Sequence, residues 1–372
     1  MQQDITAPVA AARRYDIDWL RTLALGLLIV YHVAITFQPW ARIIWFIQND
    51  QSLEGLWVVM GFLNVWRIPI LFMVSGMGVR FAMERRDWKE LLKDRTVRIL
   101  VPFVFGFFVI CPMLAYIVLY YYELGMDYVP NAGHLWFLAN IFLYVLLLLP
   151  LLNYLRHTPD NGFFRFLAGM LRTPWALFVF AIPVVLEAWL INPQPFSRYA
   201  GTLHGFLLGL ICFFTGFVFV SLKNAFWSSV QQIRWGALTV GFVLFAVRLL
   251  VFELEAAPNY LVALESMSWM LAVLGFGSVY LHRPSRTLSY LSTAVYPVYI
   301  IHLPVQYALA SYIVPLEMSP WAKLVLLLVG TFGICFLIYE LFLKRLKWIR
   351  PLFGMKFNSV PQRTPAEGAP AV

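Results

Sequence analysis

Charge is what this sequence has least of. Asp, Glu, Lys and Arg make up only 13% of its 372 residues, against 61% hydrophobic. A soluble chain of that length coats itself in charged groups, so a soluble globular domain is excluded. Cysteine is nearly absent as well. Cys111, Cys212 and Cys335 each lie inside an apolar run, and no Cys-x-x-Cys pair occurs. A disulfide framework or a zinc site is therefore unsupported. The chain also lacks a Gly-rich nucleotide loop, a His/Cys cluster with metal-ligand spacing and a Gly-x-Ser-x-Gly elbow. No metal and no permanently bound cofactor are expected. Alternating strand-length segments are missing too, which argues against a β-barrel.

What is present is continuous apolar sequence, with a mean hydropathy of +0.74. Runs of membrane-crossing length fall near 18–38, 54–80, 99–122, 133–155, 174–191, 201–222, 235–252, 259–281, 287–313 and 321–343. The pattern predicts an all-α polytopic membrane protein with about ten transmembrane helices in one bundle. The first run follows Arg13 and Arg14 and so resembles a signal peptide. It carries Arg21 and His32 and lacks a small-residue cleavage site, so it reads as a retained span. Residues 1–14 read as a short tail, 15–350 as one transmembrane domain and 351–372 as a flexible tail.

Orientation follows from the basic residues. Segments 1–14, 80–98, 156–172, 223–234, 283–286 and 344–363 hold 22 of the 28 Lys and Arg. With ten spans all six segments fall on one side, and the positive-inside rule makes that side, and both termini, cytoplasmic. Topology thus accounts for the net charge of +9. Nucleic acid is not an expected partner, because no basic soluble domain exists to carry it. Membrane lipid is.

The candidate chemistry lies at the two ends of the first span. Arg21 and His32 are 11 residues apart, close to three helical turns, so they share a face about 16 Å apart along the axis. An ionisable residue at membrane depth is costly and reads by default as functional. Imidazole is suited to take a proton from a hydroxyl, so His32 is a candidate general base; the alternative is a histidine bonded between helices. Asp18 and Arg21 are three apart and either pair with each other or meet a ligand. Arg95 and Arg98 share a helix face and either grip phosphates or anchor to lipid headgroups.

Arg67 sits within the second span, just before Pro69. It suggests a polar cavity or a bound anion, or else pairing with Glu187 or Glu265. Arg67 or Arg248 is a candidate to hold a carboxylate. Ser75 and Gly76 permit close helix approach. His134 and Trp136 open the fourth span, where they line an acceptor site or anchor the interface. On the ninth, Tyr299 and His302 share a face, and His302 orients substrate or bonds a neighbouring helix.

These residues resemble the motifs of the membrane-bound acyltransferase family 3. The match runs in order through Tyr15-Asp-Ile-Asp18-Trp-Leu-Arg21 with His32, Leu71-Phe-Met-Val-Ser75-Gly76 and Arg95-x-x-Arg98. It continues through His134-Leu-Trp136-Phe-Leu138 and Tyr299-Ile-Ile-His302. The set spans nearly the whole chain. The Ile338-Tyr339-Glu340 ending of the last span is similar to the branch that succinylates osmoregulated periplasmic glucans. The resemblance implies an O-acyltransferase of the bacterial inner membrane. Its co-substrate would be a cytoplasmic acyl-CoA, succinyl-CoA or acetyl-CoA, and its acceptor an extracytoplasmic glycan.

The family's histidine falls on His32 and its arginine partner on Arg21, with Asp18 beside them. Donor contacts fall on Arg95 and Arg98, with Arg67 as a further candidate, and acceptor contacts on His134, Trp136 and His302. Many members carry Trp-Ser-Leu-x-x-Glu where this chain has His134-Leu-Trp136-Phe-Leu138, so no carboxylate role carries over to that span. Two other readings remain at this point: an O-acetyltransferase of another surface polysaccharide, and a transporter of an anionic metabolite.

Overall fold

The computed structural model describes residues 13–125 and 127–357. The expected tails, 1–14 and 351–372, therefore lie largely outside the described residues. Ten helices are long and apolar enough to cross a membrane: α1 Tyr15–Ile35, α2 Leu56–Met83, α3 Trp88–Tyr121, α4 Gly133–His157, α5 Pro174–Ile191, α6 Leu203–Ser221, α7 Asn224–Leu250, α8 Asn259–Tyr280, α9 Arg286–Ile313 and α10 Pro320–Leu343. No strand occurs among the described residues. The expected all-α bundle of ten spans is the observed one.

Two boundaries differ from the hydropathy reading and one short helix is added, each for a local reason. The basic stretch before α3 is helical, because Asp87 and Glu90 form a reciprocal capping box at its start. Asp87 accepts from the Glu90 amide at 2.8 Å, and Glu90 accepts from the Asp87 amide at 3.2 Å. That cap puts Arg95 and Arg98 on the span itself. Helix α7 begins well before residue 235, since Phe226, Ser229, Val230 and Ile233 form a buried stripe at helical spacing. Between α4 and α5 a short amphipathic helix, Gly162–Met170, turns Phe164 and Leu167 inward.

Helix α1 packs among α2, α8, α9 and α10. Its buried face (Leu20, Ala24, Leu25, Leu28) belongs to the main core, and Val33 to Ile35 join a smaller cluster with Phe37, Ile47 and Leu303. Helices α2 and α6 meet backbone to backbone. A Cβ on Gly76 would collide with the Phe213 carbonyl, and one on Gly216 with that of Met73.

Prolines within the spans dictate many of the remaining contacts. A proline lacks the amide that would bond the carbonyl four residues earlier, and in hydrocarbon that carbonyl must find another donor. Pro69, Pro102, Pro112 and Pro304 place the carbonyls of Val65, Arg98, Phe108 and Ile300 in that position. Ser266 donates to Val65 at 2.7 Å and Tyr296 to Arg98 at 2.9 Å. Tyr128 donates to Phe108 at 2.7 Å, and His134 Nε2 lies 3.0 Å from the Ile300 oxygen. In the segment between α5 and α6, Tyr199 donates to the Asn64 carbonyl at 3.1 Å. Burial pushes its hydroxyl well above the ordinary tyrosine range, which keeps it protonated as a donor.

The chain beyond α10 does not leave the bundle at once. Residues Arg350–Phe353 form a short turn that buries Phe353 against the Phe105 ring, with centroids 5.5 Å apart. The stretch expected to be a flexible tail thus starts with a packed turn, because Phe353 finds an apolar seat on α3.

Candidate active site

Two abutting cavities run along one face of α1. The first, about 150 Å³, is lined by Arg21 from α1, Ser75 and Gly78 from α2, Arg95 and Arg98 from α3, Tyr296 from α9 and Gly354 from the terminal turn. The second, about 50 Å³, is lined by His32, His134 and Trp136. Leu25, Leu71, Phe137 and Tyr299 border both. Arg21 and His32, at the two ends of this helical rise, therefore line two neighbouring cavities that share a wall.

The first cavity is cationic. Three guanidinium groups line it, and no carboxylate does. The nearby acids are engaged elsewhere: Asp94 by Arg86 at 3.1 Å and Asp18 by Arg13 at 2.7 Å. Arg95 reaches only the Gly78 carbonyl, at 3.4 Å, and its Nε has no partner. Arg98 Nε approaches the Gly354 carbonyl at 3.5 Å. Gly354 sits at φ 69°, where a Cβ would strike the Tyr296 ring, so glycine lets the terminal turn close over the cavity. Arginines crowded together without an acid repel one another, and a multiply charged anion such as a phosphate ester relieves that repulsion through paired hydrogen bonds.

The second cavity is a histidine cluster. His32 Nδ1 lies 2.8 Å from His302 Nε2, and the two rings are coplanar within 2°. His302 Nδ1 lies 2.5 Å from the carbonyl of Tyr299. The Tyr299 hydroxyl donates to the His134 carbonyl at 2.6 Å. His134 bonds Ile300 through Nε2, while its Nδ1 is buried without a partner beside the cavity. Trp136 packs on Phe72, with centroids 6.0 Å apart.

Several candidate residues land elsewhere than the sequence suggests. Asp18 lines neither cavity and pairs with Arg13 rather than Arg21, because Arg21 turns inward along the helix face that carries Leu25. Arg67 lines neither cavity. It is 1% exposed, donates to the Leu27 carbonyl at 3.3 Å and lies over the Tyr31 ring at 4.2 Å. It does not pair with Glu187 or Glu265, since those carboxylates bond His204 at 2.9 Å and Arg248 at 2.6 Å. Arg248 is thereby occupied and is not available to hold a substrate carboxylate. His302 is 0% exposed and lies behind His32, so direct contact with an acceptor is not open to it.

Sequence reasoning passed over Tyr296, Gly78 and Gly354, which complete the first cavity. A signal for Tyr296 existed. Pro102 leaves the carbonyl of Arg98, itself a candidate residue, in need of a donor from another span. Gly354 carried no such signal, because its place depends on how the terminal turn folds back.

The chain is similar to known proteins along most of its length. A family model described as "Acyltransferase domain" matches residues 14–340. The curated protein named Glucans biosynthesis protein C from Escherichia coli strain K12 is 22% identical over 389 aligned residues, covering 94% of this chain and 96% of that protein. The same-named proteins of E. coli O1:K1 / APEC and O45:K1 strain S88 align with the same identity and coverage. No solved structure matches the chain.

Proposed function

Because the chain belongs to the acyltransferase 3 family, we propose that this multi-pass O-acyltransferase joins a cytoplasmic acyl-CoA-type donor to a hydroxyl of an extracytoplasmic glucan, with succinyl as the group transferred. The observation that carries the reading is the pair of abutting cavities, one ringed by Arg21, Arg95 and Arg98, the other holding His32. The donor's phosphates sit among the three arginines. Its acyl arm extends past Leu25, Leu71 and Phe137 toward His32. An extended arm suits a passage whose ends are about 16 Å apart along α1.

His32 takes the proton of the acceptor hydroxyl. The oxygen bonds to the acyl carbon, the carbon–sulfur bond breaks, and the proton held by His32 leaves with the thiol. His134 and Trp136 line the acceptor end, where the unpartnered Nδ1 of His134 accepts a bond from a sugar hydroxyl. The distribution of Lys and Arg supports placing the arginine end in the cytoplasm, and the family resemblance supports the bacterial inner membrane. The name of the Escherichia coli relatives, Glucans biosynthesis protein C, supports a glucan as acceptor.

Arg248 is bonded to Glu265 and Arg67 lines neither cavity, so the choice of succinyl rests on the sequence resemblance and not on a buried arginine. Acetyl transfer to another polysaccharide is the rival within the same chemistry. Mass spectrometry of glycans from cells expressing wild type or His32→Ala tests both points. Succinyl adducts present with wild type and lost in the variant are expected, a fall in transfer on the order of a hundred- to ten-thousandfold. Undiminished acylation with a folded His32→Ala protein would sink the general-base reading. Acetyl adducts alone would replace succinyl as the group transferred.

A further inference from the structure

We infer that His302 is a positioning residue that decides which nitrogen of His32 acts as the base. The inference rests on the reading of His32 as the base, but its geometry can be tested apart from activity. The two imidazole rings are coplanar within 2°, with centroids 5.1 Å apart and Nδ1 of His32 2.8 Å from Nε2 of His302. A centroid separation of that size, with a hydrogen-bonded nitrogen pair between, belongs to rings joined edge to edge in one plane. They are not stacked face on face.

Each hydrogen bond in the row then dictates the next. The Tyr299 carbonyl, 2.5 Å from His302 Nδ1, can only accept, so that nitrogen carries a hydrogen. In a neutral imidazole the other nitrogen, Nε2, is then a bare acceptor. Nδ1 of His32 faces it and so must donate. His32 Nε2 is left as the unprotonated nitrogen of a ring that lines the second cavity. The base is thereby set in a single tautomer before any substrate arrives. When Nε2 takes the acceptor proton, the hydrogen on Nδ1 remains bonded to His302, which delocalises the new positive charge toward the Tyr299 carbonyl.

The support behind this row is built into α9. Pro304 removes the amide that would bond the Ile300 carbonyl, and His134 Nε2 fills that place at 3.0 Å. Tyr299 in turn donates its hydroxyl to the His134 backbone at 2.6 Å. On the other flank Gln306 donates to the His32 carbonyl at 2.8 Å. The backbone carrying each member of the row is therefore tied to its neighbour. His302 itself is 0% exposed, so it acts through His32 and not on substrate.

Nitrogen-15 spectra of the full-length, histidine-labelled protein test the inference directly. The His32 signals are identified by their loss in His32→Gln. Wild type is expected to show His32 protonated at Nδ1 and bare at Nε2. His302→Leu should convert this to a mixture of tautomers and lower kcat on the order of ten- to a hundredfold, leaving the donor KM unchanged because the arginine cavity is untouched. His302→Gln presents an amide oxygen where Nε2 stood and an amide hydrogen within reach of the carbonyl. It should keep the single tautomer and recover most of the rate. A wild-type His32 protonated at Nε2 would overturn the inference, whatever the variants do. So would a His302→Leu protein with the wild-type tautomer and rate. Acylation retained in His32→Ala would instead remove the general-base reading, and the tautomer signal would still report on His302 alone.

Discussion

Two sets of charges are treated in opposite ways, one buried between helices and the other around a cavity where Arg21 and Arg95 are half-buried and Arg98 is exposed. Between α7 and α8, Arg248 bonds both oxygens of Glu265, at 2.6 and 2.9 Å, and also the Gly61 carbonyl at 2.9 Å. Between α5 and α6, Glu187 meets His204 at 2.9 Å, whose other nitrogen lies 2.8 Å from the Phe196 carbonyl. These groups are matched and their bonding capacity is used. Around the first cavity, Arg21, Arg95 and Arg98 share a space without any carboxylate. A buried charge that is paired belongs to the fold, because losing its partner strands it in a low-dielectric interior. A cluster of like charges held open is costly to the fold and makes sense only as a place for something that arrives.

The contrast can be broken by substitution. The largest effect is expected at the matched pair. Glu265→Ala strands Arg248 and should cost about 3–5 kcal/mol of stability, read as a large fall in thermal midpoint in detergent. Replacing Arg248 and Glu265 together with apolar residues of similar volume should recover most of that loss. If Glu265→Ala proves neutral, the pair is not holding the bundle.

The arginine cluster should respond in the reverse sense. Arg95→Gln or Arg98→Gln should leave the thermal midpoint of the ligand-free protein unchanged or raised, since a repulsion is removed. The same changes should raise the donor KM on the order of ten- to a hundredfold through lost charge-assisted bonds. Arg98→Lys should restore only part of the affinity, because an ammonium lacks the planar fork. Destabilisation of the apo protein by either Gln variant would erase the distinction between the two sets.

The smallest effect is expected at Asp18. Its partner Arg13 is 41% exposed, and such pairs contribute less than about 1 kcal/mol. Asp18→Asn should leave both stability and acyl transfer near wild type. A strong loss of transfer would return Asp18 to the site.

How much of this could be read in advance depended on the scale of the signal. All ten spans were legible, because each is a continuous apolar run that needs no partner to be recognised. The start of α7 was not, since Ser228, Ser229, Gln231 and Gln232 dilute the hydropathy average while Phe226, Val230 and Ile233 still form a buried stripe. The helix start before residue 99 was hidden as well, because charge in the basic run outweighs the capping pair Asp87 and Glu90 in a hydropathy reading. Within the site, His32, Arg21, Arg95 and Arg98 stood out, as ionisable residues on or at the mouth of spans are rare enough to notice. His302 was equally visible, but its direction was not. Spacing places it on a face of α9 and says nothing about whether that face meets substrate or another histidine.

The sequence alone determined that this chain crosses a membrane about ten times, that it carries the acyltransferase 3 motifs in order, and that His32 and Arg21 lie at opposite ends of one helix. Those are properties of composition and of distance along a single chain. Only the tertiary structure decided that Glu187 and Glu265 are spent on His204 and Arg248, that Asp18 turns out to Arg13, and that His302 backs His32. All but the local Asp18–Arg13 pair join residues from different helices, and which partner a buried polar group finds there is settled by packing between helices that no local pattern encodes.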